Sequence, residues 1–95
     1  QIKKDTKTLD SHDSNMEYYD NAIKELERLL DENYQQQMAN SDNQSEMNVL
    51  VGEELALKEK INAMTEARGK KEKAFTDAYE RLWQRAAWNS FKEVN

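Results

Sequence analysis

The chain has 95 residues, a formal charge of −5, 35% charged residues, no Cys and no Pro. Without Cys there is no disulfide framework and no Cys-based zinc or redox site, and two glycines cannot build a glycine-rich phosphate loop. No apolar run approaches the ~18 residues needed to span a bilayer and no signal peptide is visible, so the sequence predicts a soluble chain of unknown compartment.

The chain opens on Gln1 rather than Met, as expected of a fragment or a processed product. Its length predicts a single domain with a modest core. The charge is uneven: residues 16–40 carry −4, residues 41–68 carry −3, and residues 69–95 carry +2. An acidic front and a mildly basic back favour antiparallel pairing, within one chain or between chains.

Residues 1–13 read as a flexible polar arm, with Ile2 and Leu9 its large apolar residues. Asp10, His12 and Asp13 sketch half of a metal site. Such sites need three or four convergent ligands, so no metal is expected there.

Ser14 followed by Glu17 has the spacing of a capping box and predicts a helix over about 15–38. Met16, Tyr19, Ile23, Leu26 and Leu30 alternate at spacings of three and four. Beyond Leu30 the strict slots fall on Asn33 and Gln37, while Tyr34 and Met38 continue at spacings of four. The sequence therefore predicts that the apolar seam drifts onto Tyr34 and Met38.

Residues 39–45 form the turn, rich in Asn, Ser and Asp that compete with helix for backbone bonds. Asp42, Asn43 and Ser45 are candidate caps, and Asn43 with Glu46 has capping-box spacing. So short a connection predicts antiparallel neighbours.

The second helix is predicted over about 46–94. Its seam slots are Met47, Leu50, Glu54, Leu57, Ile61, Met64, Arg68, Lys71, Phe75, Ala78 and Leu82, eight of the eleven apolar. Gly69 sits where the slots turn basic. Either the helix breaks there and a third segment folds back into a three-helix bundle, or it continues past the first helix. One Gly costs only ~1 kcal/mol against Ala, and its neighbours are good helix formers. The expected fold is therefore all-α, an antiparallel helical hairpin with a long, coiled-coil-like second helix.

The aromatics collect in the last third: Phe75, Tyr79, Trp83, Trp88 and Phe91, with Leu82 among them. Trp83 and Trp88 are five apart and point in different directions, so the apolar surface wraps more than one side of the helix. These six residues are the candidate partner-binding set, because large apolar patches are rarely left open on monomers.

Nothing in the chain reads as catalytic, and no enzyme, cofactor or small-molecule substrate is expected. The basic run Arg68, Lys70, Lys71 and Lys73 is small and interrupted by Glu72, which argues against nucleic-acid or membrane-surface binding as the main role. The layout resembles the small secreted WXG100 helical hairpins in architecture alone, since their Trp-x-Gly turn has no counterpart in residues 40–45. The expected function is a non-enzymatic interaction or assembly module that pairs with its own copies or with a partner helix. The alternatives are a monomeric three-helix adaptor or secreted domain, and a membrane-surface or nucleic-acid binder acting through residues 68–73.

Overall fold

The computed structural model describes residues 2–94, and side chains for residues 2–90. The fold is all-α: α1 (Ile2–Asp10), α2 (His12–Ala39) and α3 (Gln44–Val94). α3 runs unbroken through Gly69, whose φ is not positive. The helical propensity of its neighbours outweighs the cost of one glycine. The chain divides into two compact units, Tyr18–Ala67 and Gln1–Glu17 with Arg68–Asn95. The fully buried apolar residues are Leu50 in the first unit and Ala78 in the second.

The first unit is a helical hairpin. At its turn, Asn43 is the N-cap of α3: its Oδ1 accepts from the Glu46 amide at 3.1 Å. The Asn43 carbonyl accepts from Met47 N at 2.9 Å, the first bond of the helical ladder. On the closing side, Asn40 Nδ2 donates back to the Gln36 carbonyl at 2.8 Å. These local bonds stop α2 and start α3 within four residues.

Along the hairpin, Ile23, Leu26 and Leu30 of α2 and Met47, Leu57, Ile61 and Met64 of α3 are half-buried, with Leu50 enclosed. The seam does not drift. Asn33 is only 5% exposed, while Tyr34 and Met38 are on the surface at 39% and 74%. The reason is a polar layer. Asn33 Nδ2 donates to the Leu50 carbonyl at 2.9 Å, and Gln37 Nε2 donates to Asn33 Oδ1 and to Glu54 Oε1 at 2.6 and 2.8 Å. Each buried polar group finds a partner, so the strict slots hold despite their polarity.

In the second unit, the stretch read as a flexible arm is a helix. α1 and the first turn of α2 run antiparallel to α3, with Asp5 of α1 against Arg81 and His12 of α2 against Phe75. Across the two, the slots keep the three-four spacing: Ile2, Asp5, Leu9, His12 and Met16. Asp5 is 2% exposed, and Leu9, His12 and Met16 are half-buried. Ser14 is not a cap, because helix already surrounds it. The break falls at Ser11, where the Lys7 carbonyl accepts from both the Ser11 hydroxyl at 2.9 Å and the Ser11 amide at 3.1 Å. The interruption is slight: Asn15 N still donates to the Ser11 carbonyl at 2.9 Å.

Candidate interaction surface

The seam side of α3 in the second unit is covered by α1. His12 stacks on Phe75 with ring centroids 3.7 Å apart and planes at 20°. Its Nε2 lies 3.9 Å from Glu72 Oε2. His12 is therefore packed within the seam, and Asp10 and Asp13 are exposed beside it. Among the described residues no group of three or more His, Asp or Glu could hold a metal ion.

Arg81 reaches across the same seam. Its Nε and Nη2 donate to the two oxygens of Asp5 at 2.9 and 2.7 Å, a bidentate pair. The Asp5 carboxylate raises the Arg81 pKa above its ordinary value. Ala78 between Phe75 and Arg81 is fully buried, which lets the two helices approach closely.

Five of the six candidate residues fall into two groups. Phe75 and Leu82 are half-buried on the seam. Tyr79, Trp83 and Trp88 are on the surface, at 58%, 63% and 60% exposure. The side chain of Phe91 lies outside the described residues. At ~100° per residue, Tyr79 and Trp83 sit on one flank of the seam and Trp88 on the other. Every residue from Trp83 to Ser90 is exposed. Thr76, Tyr79, Glu80 and Trp83 line an open hollow of about 340 Å³ on their flank. On the Trp88 flank, Arg81, Gln84, Arg85 and Trp88 follow i, i+3, i+4, i+7 along one stripe. Arg81 is paired with Asp5 and has Asp77 one turn before it, which leaves Arg85 as the exposed cation beside Trp88.

The basic run 68–73 is partly occupied with local contacts. Arg68 and Glu72 are half-buried. Lys73 Nζ pairs with Asp77 at 2.8 Å, four residues on.

Sequence reasoning did not single out the surface of the hairpin unit. Two open hollows of about 300 and 370 Å³ lie between α2 and α3 there, and both are lined by Lys60. On the opposite side of the pair, Lys58 bonds Glu54 at 2.6 Å and sits 5.9 Å over the Tyr34 ring. The Glu54 carboxyl is held below the usual carboxylate range, first by the Gln37 amide and then by Lys58. Lys58 is raised in turn, first by Glu54 and then by Tyr34.

Among the described residues no helix is long and apolar enough to cross a membrane. Comparison with known proteins finds no matching family model, no matching curated protein and no matching solved structure.

Proposed function

We propose that the protein is a non-enzymatic helical interaction module that assembles with its own copies or with a partner helix, using the aromatic last third of α3. The observation that carries the reading is the exposure of both indoles and of Tyr79 along a helix whose seam is already covered by α1. Each such ring buries roughly 150–250 Å² when covered, more than any aliphatic side chain offers. Exposed apolar clusters rimmed by polar residues are the usual mark of an interface, and Trp, Tyr and Arg dominate the energetics of interfaces. The sustained three-four spacing fits coiled-coil-like pairing with further helices.

Light scattering over a concentration series tests this. Mass should rise above the 11.2 kDa of one chain, and Trp83→Ala with Trp88→Ala in one chain should return it toward that value. Because both indoles are exposed, helix content by circular dichroism should be retained. A constant 11.2 kDa at all concentrations would refute self-assembly.

A further inference from the structure

We infer that the occupant of the hollows between α2 and α3 in the hairpin unit is the Trp88 stripe of a second copy of this chain. The inference rests on the assembly reading above and names both the partner and the surface that receives it.

The receiving surface is two neighbouring hollows along the α2–α3 pair, with Lys60 lining both. On α2 it runs from Ala22 to Gln36, roughly 21 Å at ~1.5 Å per residue, or about four helical turns. Ala22, Leu26, Leu29, Leu57 and Met64 are its half-buried apolar lining, and Ala56 and Ala63 are exposed small residues that leave room for another backbone. The rim carries Glu25, Glu32 and Glu53 against Lys60. Arg28 bridges Glu25 and Glu32 and answers only one of their two charges. The imbalance is general: residues 18–67 hold four basic and eleven acidic side chains, a net of −7.

The complementary chemistry sits on this same sequence. Residues 68–95 hold seven basic and four acidic side chains, a net of +3. Residues 81–90 carry two arginines and no acid; Arg81 is already paired with Asp5, so Arg85 is the guanidinium left to meet a partner. Arg85 and Trp88 share one exposed stripe of α3, an indole to enter an apolar groove and a guanidinium to meet its acidic rim. The Tyr79 and Trp83 flank has no such match, because its acids Glu72 and Glu80 would face the acidic rim. Opposite potentials favour the tail-to-groove encounter over groove-to-groove contact. Because each copy carries one tail and one groove, every copy can both give a tail and receive one.

Three single variants and one mixture test this by light scattering at low salt. Ala63→Lys fills the groove with a like charge for the arriving tail. Trp88→Ala removes the anchor but leaves the groove intact. Each alone is expected to weaken self-association by about tenfold or more, whereas Trp83→Ala should leave it within about threefold. Mixing the Ala63→Lys chain with the Trp88→Ala chain should restore a complex of twice the chain mass, because one intact tail then meets one intact groove. That rescue also shows that both variants fold. The restored complex should weaken as salt rises and screens the rim. If the Ala63→Lys chain keeps the wild-type mass, or the mixture shows no rescue, the groove is not the receptor and this inference fails while the assembly reading stands. If the wild-type chain is monomeric throughout, both fail.

Discussion

Replacing Asn33 by Leu should stabilise the hairpin unit. The wild-type side chain is almost fully buried and donates to the Leu50 carbonyl while accepting from Gln37. The Asn33 contribution is about 1 kcal/mol net for a hydrogen bond of this kind. A Leu in the same slot buries an apolar side chain worth about 1.5–3 kcal/mol and gains a few tenths in helix propensity. Neither former partner is stranded, because Gln37 keeps its bond to Glu54 and the Leu50 carbonyl keeps its place in the helix ladder. The balance is a gain of about 1–2 kcal/mol. Asn33→Ala removes the same bonds and fills nothing, so it should cost about 1 kcal/mol. Urea unfolding followed by far-ultraviolet circular dichroism gives the order Leu, Asn, Ala. Trp fluorescence does not serve, because neither indole belongs to residues 18–67. Stability gained this way should cost uniqueness, since a polar seam residue ties the helices to one register. An amide spectrum with doubled hairpin resonances would show it. A Leu variant less stable than the wild type would refute the reasoning, because the polar layer would then outweigh apolar burial.

Three further outcomes follow from named contacts. Arg81→Ala should loosen α1 more than Asp5→Ala does, because the first removes two hydrogen bonds from a carboxylate that is 2% exposed and the second removes them from a half-solvated guanidinium; amide exchange across Ile2–Asp10 measures it, and equal loosening would contradict it. The Glu54 carboxyl is lowered in the folded chain, so its stabilising contribution is complete above the ordinary Glu value near ~4.3 and is lost as pH falls through the depressed folded value; Glu54→Gln should flatten the acid limb of hairpin stability, and an unchanged limb would assign that limb to other carboxylates. Gly69→Ala should stabilise α3 by about 0.5–1 kcal/mol, since a Cβ there meets nothing within 4 Å; a lower melting temperature would mean that the glycine serves a contact this chain does not show.

The hairpin and the unbroken α3 were legible in the sequence because they depend on spacing and propensity, which act locally along the chain. Where the reading departed from the fold, residue type had been allowed to override spacing. Asn33 and Gln37 looked like the end of the seam because they are polar, yet the three-four rhythm passes through them, and mutual hydrogen bonds meet the cost of burying them. The same rhythm, carried back from Met16, lands on His12, Leu9, Asp5 and Ile2. Charge makes that stretch look like a solvated arm, although a slot holding Asp5 can be buried when a guanidinium pairs with it from the facing helix. What spacing does not carry is coverage. It states which residues share a face, but which face meets another helix depends on every element present. The split of the aromatics into the covered Phe75 and the open Tyr79, Trp83 and Trp88 follows from α1 lying along one side of α3. The acid-rimmed groove arises in the same way, from residues of two helices that come together only once α2 and α3 pair. The single-residue composition of its rim is ordinary for a charged helix; only the pairing turns Glu25, Glu32 and Glu53 into one edge, and only then does the net positive stretch of residues 68–95 acquire a surface of opposite sign to meet.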